Sequence, residues 1–156
     1  FPLMVRNHFA KGVIEAGIVE VVFALGLIVG AALLGVLGDR FDKIKTMVAG
    51  LMLMGVALFI SGLLLPSTFY VFVVMSFLIG LAGPLFSAPF YAFIQTEIEP
   101  HLLGRVFSFV TSLSLLATPI GFGLAGLFTE LTNVATLFAV AGVLIVLNAA
   151  LAMKIK

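Results

Sequence analysis

The chain has 156 residues, of which 63% are hydrophobic and only 10% are charged, and its mean hydropathy is +1.34. Soluble domains are usually about 45–50% apolar and about 25% charged, so this sequence carries too few charged side chains to cover a soluble surface. The net charge of +1 leaves no basic field for nucleic acid. Cysteine is absent from the sequence, which excludes disulfides and thiolate ligands within it. The composition therefore indicates an integral membrane protein.

Five long apolar segments alternate with short polar breaks. A helix needs about 20 residues to cross the hydrocarbon layer, and each segment is close to that length. Helix is also the state that satisfies every backbone hydrogen bond inside lipid. We therefore expect an all-α membrane helical bundle with spans at about residues 16–37, 46–65, 69–94, 106–128 and 134–153.

The first twelve residues have a different character. Phe1 to Val5 reads as the last turn of a hydrophobic helix, and Arg6 to Gly12 reads as a short polar loop outside the membrane. Residues 13–156 then form the five-span bundle. We expect a chain that enters partway through a larger membrane protein.

Lysine and arginine are distributed unequally between the two sides of this arrangement. Only Arg6 and Lys11 fall on the side of the first loop. Because cytoplasmic loops carry the excess of basic residues, the other side is predicted to be cytoplasmic. We expect a multi-pass protein of the plasma membrane with a cytoplasmic C-terminus and these basic residues inside: Arg40, Lys43, Lys45, Arg105, Lys154 and Lys156.

Glycines recur at helical spacing in the first span, at Gly26 and Gly30, and in the fourth span, at Gly121, Gly123 and Gly126. Small residues at such spacing let two helix backbones approach closely. The pattern predicts helix packing in both spans. Faces that slide during a conformational cycle are the functional alternative.

Three prolines lie inside predicted spans, Pro84 and Pro89 in the third and Pro119 in the fourth. Each removes a backbone donor and weakens or kinks its helix. In transporters, broken helices often lie at the substrate site, so these residues are candidate gating points. A static kink that merely fits the bundle is the alternative.

The fourth span is the most polar. Ser108, Thr111 and Ser112 are spaced at i, i+3 and i+4, so they share one helix face. That face is predicted to look into the protein or a wet cavity. Hydroxyls that bond to carbonyls of their own helix are the alternative.

Glu20 is the acid best placed to reach into the membrane, about one turn inside the outer end of the first span. An ionisable group there is a candidate proton carrier or a counter-charge for a cationic substrate. The alternative is that Glu20 reaches the outer surface and pairs with Lys11 or Arg6.

No catalytic or phosphate-binding motif is present, so an enzyme is disfavoured and no cofactor is predicted. His8 and His101 fall on opposite sides of the membrane, which prevents them from sharing a metal ion. Glu97 and Glu99 lie in a loop near Arg105, where a surface ion pair is the expected use.

The segment from Gly35 to Lys43, Gly-Val-Leu-Gly-Asp-Arg-Phe-Asp-Lys, resembles the signature loop of the major facilitator superfamily. Gly35, Asp39 and Arg40 match that signature, and Lys43 replaces an arginine. The resemblance implies that Asp39 and Arg40 latch the cytoplasmic side shut during alternating access. Asp42 is a departure, because the family prefers glycine there.

The segment from Pro100 through Gly104 and Arg105 to Ser108 looks like the loop before the eleventh helix in the drug-efflux branch, which includes macrolide exporters. The resemblance covers the whole chain. It implies the C-terminal half of a twelve-helix fold, namely helices eight to twelve with the tail of helix seven.

Together these features favour half of a secondary-active, proton-coupled exporter of amphipathic small molecules. Its expected partners are the lipid bilayer, an N-terminal half of the same transporter and a small-molecule substrate. Two alternatives stay open: an uptake permease on the same fold, and a self-contained small membrane protein that oligomerises as a channel or structural unit.

Overall fold

A computed structural model of the chain describes residues 1–37 and 42–154. These residues form six helices, and five of them are long and apolar enough to cross a membrane, which confirms the predicted all-α bundle with five spans. The predicted signature residues Asp39 and Arg40 lie outside the described residues. The helices are α1 Pro2–Asn7, α2 Val13–Leu37, α3 Lys43–Leu63, α4 Phe69–Glu97, α5 Leu103–Leu131 and α6 Val134–Lys154.

Each long helix begins and ends within three residues of its predicted span. Where a helix and its predicted span differ, the helix is usually longer. Charged and polar residues at the helix ends continue the backbone hydrogen bonds past the apolar segment. The start of α3 has an identifiable cause. The carboxylate of Asp42 accepts hydrogen bonds from the backbone N–H groups of Ile44 and Lys45, at 3.0 and 3.3 Å, and so caps the helix.

The amino-terminal segment is more deeply packed than the sequence predicted, which was a helix tail followed by a polar loop. Helix α1 continues to Asn7, past the expected loop start at Arg6. Met4 and Val5 are fully buried, and Phe9, inside the expected loop, is 4% exposed. They form an apolar cluster with side chains of α2, α4 and α6. Burial of these side chains fastens α1 to one end of the bundle.

Glycine brings α2 and α4 into backbone contact. A methyl group added to Gly26 would lie against the carbonyl of Phe77 and 2.9 Å from the backbone nitrogen of Leu81. From the other helix, a methyl group on Gly80 would lie against the carbonyl of Phe23. Such close approach is how small residues hold membrane helices together, as predicted for Gly26 and Gly30.

A second glycine contact, which sequence reasoning missed, joins α3 to α6. A methyl group on Gly55 would come within 2.7 Å of the Val146 side chain, and one on Gly142 would lie 2.7 Å from the carbonyl of Gly55. Gly62 approaches the backbone of Ala135 and Ala139 in the same way. Helix α3 also packs on α4, so α2, α4, α3 and α6 form a continuous row of packed helices.

Helix α5 stands apart from this row. Its most apolar stretch has no buried residue among those described, and its half-buried residues fall in its first eight residues and at Ala125 and Thr129. At one end Phe107 contacts the ring of Tyr91, with the ring centroids 5.9 Å apart. The predicted packing of Gly121, Gly123 and Gly126 on a helix has no counterpart among the described residues, because a methyl group added at each would meet nothing there within 4 Å.

Candidate functional site

The candidate site is a depression of about 490 Å³ where α1, the following loop and α2 meet. This end of the bundle is called the α1 end, and the opposite one, which carries Lys43, Lys45 and Lys154, the basic end. Helix α2 contributes Val13, Ala16, Gly17 and Glu20, which are spaced at i, i+3, i+4 and i+7 and therefore share one face. The remaining lining residues are Pro2, Arg6, Lys11 and Gly12.

Glu20 is the one acidic residue among these lining residues. It lies seven residues after the start of α2, so its Cα is about 10 Å along the helix. The residue is exposed, and it faces the same space as Arg6 and Lys11. Among the described residues, no ion pair joins Glu20 to either cation. One acidic side chain and two cations therefore line the same open depression.

A smaller polar depression of about 220 Å³ lies beside α1, lined by residues that sequence reasoning did not group together. The ring Nε2 of His8 donates to the backbone carbonyl of Leu64 at 2.7 Å, which ties α1 to the end of α3. Helix α1 contributes to both depressions, with Pro2 and Arg6 in the larger and Asn7 in the smaller. The lining residues are Asn7, His8, Thr129, Thr132, Asn133 and Val134.

The predicted hydroxyl face of α5 is exposed. Ser108, Thr111 and Ser112 are all accessible, and the described hydrogen bonds do not include their hydroxyls. Ser114 and Thr118 behave differently, since they donate to the carbonyls of Val110 and Ser114 at 2.9 and 2.8 Å. Ser114 and Thr118 therefore fit the alternative of hydroxyls bonded to their own helix. Ser108, Thr111 and Ser112 remain available to a ligand or to a further helix.

The direction of this face follows from helical periodicity. The half-buried residues at the start of α5 are Leu103, Val106, Phe107 and Val110, and they mark the side that meets the bundle. At about 100° per residue, Ser108 and Ser112 lie well over 90° around the helix from that side. The hydroxyls therefore point away from the packed row of helices.

The three prolines do not end their helices. Pro84 and Pro89 lie inside α4, and Pro119 lies inside α5. Proline leaves the carbonyl four residues earlier without its helical donor, which for Pro89 is the carbonyl of Leu85. That turn of α4 is where Gly50 of α3 approaches, since a methyl group there would lie 2.8 Å from the Phe86 nitrogen. Pro89 is buried at this crossing, whereas Pro119 is exposed.

At the basic end, Lys43 connects two helices. Its Nζ donates to the hydroxyl of Thr96 at 3.4 Å, joining the start of α3 to the end of α4. Asp42 caps α3, a role that is typical of aspartate immediately before a helix. At Gly35, the start of the signature match, an added methyl group would meet none of the described residues within 4 Å.

The loop between α4 and α5 and the first turn of α5 hold the other candidates near this end. Glu99 lies 3.4 Å from the Nδ1 of His101, and this contact replaces the expected pair with Arg105. Arg105 and Pro100 are exposed, and Gly104 has no neighbour within 4 Å of an added methyl group. The loop therefore presents its polar groups to the surroundings.

Comparison with known proteins gives a consistent result. The family model of the Major Facilitator Superfamily matches residues 1–155. The chain is 39% identical over 146 residues to macrolide efflux protein A of Streptococcus pyogenes, covering 94% of this chain and 36% of that protein. It is 41% identical over 121 residues to macrolide efflux protein A of Enterococcus faecalis, covering 78% of this chain and 38% of that protein.

A more distant relative is the multidrug efflux pump Tap of Mycobacterium tuberculosis, 33% identical over 144 residues. That match covers 90% of this chain and 33% of the pump. The chain thus spans about a third of the length of the relatives it matches. Five apolar helices together with these relatives identify a multi-pass membrane protein.

Proposed function

We propose that this chain, which belongs to the Major Facilitator Superfamily, is the C-terminal half of a secondary-active exporter that moves amphipathic small molecules outward. The observation that carries the proposal is the 39% identity to a macrolide efflux protein along 94% of the chain. Macrolides are therefore the first substrates to test. An N-terminal half of the same transporter is the proposed partner.

The proposed cycle is proton-coupled alternating access, with Glu20 as the ionisable group of this half. Three features support that assignment: its position about 10 Å along α2, its exposure to the depression of about 490 Å³, and the lack of an ion pair with Arg6 or Lys11 among the described residues. Ionisable residues within membrane spans are typical of the proton pathways of transporters.

The remaining site residues receive proposed roles in the same cycle. Ser108, Thr111 and Ser112 would contact substrate from α5, and the signature residues would close the cytoplasmic side. The prolines at 84, 89 and 119 would serve as the bending points. Pro89 is the strongest of the three because it lies where α4 crosses α3.

The proposed topology places the basic end in the cytoplasm and the α1 end outside the plasma membrane. Because the sequence holds no cysteine, a single cysteine at Ser67 or at His101 of an otherwise cysteine-free complete transporter can report each side. A membrane-impermeant maleimide added to intact cells should label the first and spare the second. The reverse pattern would invert the topology.

The direct test of function measures macrolide accumulation in bacteria that lack their own exporters and express the complete transporter. Expression should lower accumulation, and a protonophore should abolish the effect. Glu20→Gln should slow efflux by at least about tenfold, a rise of about 1.4 kcal/mol in the barrier. Glu15→Gln is the matched control, since Glu15 lies on the same helix and already accepts a hydrogen bond from Gly12 at 3.0 Å.

Other outcomes separate the alternatives. Raised accumulation would indicate an uptake permease. A native protein of about 16.5 kDa that assembles as a symmetric oligomer would favour the self-contained channel or structural unit. Normal efflux by the Glu20→Gln variant would remove Glu20 from the proton pathway while leaving the exporter assignment in place.

A further inference from the structure

An apolar groove of about 450 Å³ runs between α3 and α6 at the basic end. Helix α3 supplies Lys45, Val48, Ala49 and Met52, at the i, i+3, i+4 and i+7 spacing of a single helix face, together with Ile44. Helix α6 supplies Ala152 and Met153. The groove plays no part in the proposed transport pathway.

The packing of the two helices explains why the groove is there. They approach closely where Gly55 meets Gly142, and Ala149, farther along α6 toward the basic end, is fully buried. Beyond Ala149, toward the basic end, the facing residues no longer interlock and the helices leave a space between them. Gly50 contacts α4, and helical periodicity places the groove residues on the opposite side of α3 from Gly50. The groove therefore lies on the side of α3 that faces α6, and its lining residues Ala49 and Met153 are exposed.

Two lysines lie at the basic end of this groove, one among its lining residues and one next to a lining residue in the sequence. Lys45 lines it, and its side chain is 75% exposed. Lys154 follows Met153 in the last turn of α6 and is also exposed. Asp42 lies 3.8 Å from the Lys45 Nζ, but its other carboxylate oxygen accepts bonds from the start of α3, so it is held at the cap. Two cations against one carboxylate leave this end of the groove positive.

We propose that this groove binds an anionic phospholipid, with one acyl chain lying along Val48, Ala49 and Met52 and the phosphate held between Lys45 and Lys154. The groove matches the two parts of such a lipid: an apolar channel at membrane depth and two lysines at the level of the headgroups. Basic pockets between membrane helices are known to hold anionic headgroups. A neutral lipid would fill the apolar part alone and gain nothing from the lysines.

The test places a tryptophan reporter in the groove of the complete transporter, in a version whose own tryptophans are replaced by phenylalanine. Ala152→Trp reports the groove, and Leu151→Trp is the control, because Leu151 lies at the same depth on a different face of α6 and is 60% exposed. The protein is reconstituted in vesicles of phosphatidylcholine. Fluorescence quenching is then titrated with dibrominated phosphatidylglycerol and, separately, with dibrominated phosphatidylcholine.

At Ala152→Trp, phosphatidylglycerol should be preferred over phosphatidylcholine by roughly fivefold or more, as expected for a lysine near an anionic surface. At Leu151→Trp the two lipids should quench about equally. Replacing both lysines, Lys45→Gln with Lys154→Gln, should lower the groove preference to that of the control. Lys45→Arg with Lys154→Arg should retain it, which shows that charge is the cause. Equal quenching by both lipids in the groove, or a preference that survives loss of both lysines, would overturn the proposal.

Discussion

Helices α2 and α5 both carry several glycines, yet they use them in opposite ways. In α2, Gly26 and Gly30 meet the backbone of α4 so closely that a methyl group would collide with it. In α5, a methyl group added at Gly121, Gly123 or Gly126 would meet none of the described residues within 4 Å. The first helix is part of a packed row, whereas residues 111–124 of the second are exposed.

The comparison teaches that glycine spacing predicts close approach but not the identity of the partner. The α2 glycines have their partner in this chain. The α5 glycines and the hydroxyls of Ser108 and Ser112 have no such partner among the described residues. By helical periodicity, Gly123, Gly126 and the two serines share one side of α5, and Gly121 lies on the opposite side. Under the proposed function, we expect the first side to meet a helix or a substrate in the longer transporter, because this chain spans about a third of the length of its relatives.

The largest expected change in stability comes from a glycine-to-alanine substitution in α2, compared with the same substitution in α5. Gly26→Ala should destabilise the complete transporter by about 2–3 kcal/mol, because the methyl group meets backbone atoms of α4 that cannot move away cheaply. Gly121→Ala should cause no loss and can gain up to about 1 kcal/mol from helix propensity. Thermal denaturation in detergent, followed by size-exclusion chromatography, measures both.

This pair of variants can break the comparison. Equal stability of Gly26→Ala and the unsubstituted protein would mean that α2 and α4 are not in backbone contact. Strong destabilisation by Gly121→Ala or Gly123→Ala would show that α5 also packs tightly on a helix outside this chain, and the residue affected would identify the contacting face.

A smaller effect is expected from the hydroxyls of α5. The double variant Ser108→Ala with Ser112→Ala should lower resistance to macrolides about fivefold, since a lost hydrogen bond to substrate costs about 1 kcal/mol. Ser114→Ala is the control, because its hydroxyl already donates to Val110. The minimum inhibitory concentration in an exporter-deficient host measures both. Identical values for the double variant and the control would assign the α5 hydroxyls to helix packing.

The sequence predicts the helices well and their partners poorly, for a physical reason. Hydropathy over about 20 residues determines whether a segment can cross a membrane, and it is a local property. The packing of Gly55 on Gly142 joins residues far apart in the chain, so spacing within one helix cannot reveal it. The burial of Phe9 inside an expected polar loop has the same origin, since its neighbours come from α4.

The candidate site also contains features that spacing within one helix predicts and features that depend on contacts between distant residues. Spacing alone places Glu20 on the face of α2 that includes Val13 and Gly17, so its position could be predicted. The structure adds that Arg6 and Lys11 line the same depression, because burial of Met4 and Val5 holds α1 there. The hydrogen bond from His8 to Leu64 could not be predicted, since it joins residues 56 positions apart.

The smallest expected change in stability comes from the residues that precede the first turns of α3 and α5. Asp42 caps α3, whereas Leu102 precedes α5 without a side-chain cap. Asp42→Ala should lower the melting temperature through a loss of about 1 kcal/mol, and Asp42→Asn should lose much less because an amide oxygen still accepts from the helix amides. Leu102→Ala should change stability by a few tenths of a kcal/mol, as expected where there is no cap to remove. If Asp42→Asn proved as damaging as Asp42→Ala, the charge of Asp42, beyond its capping bonds, would be what stabilises the basic end.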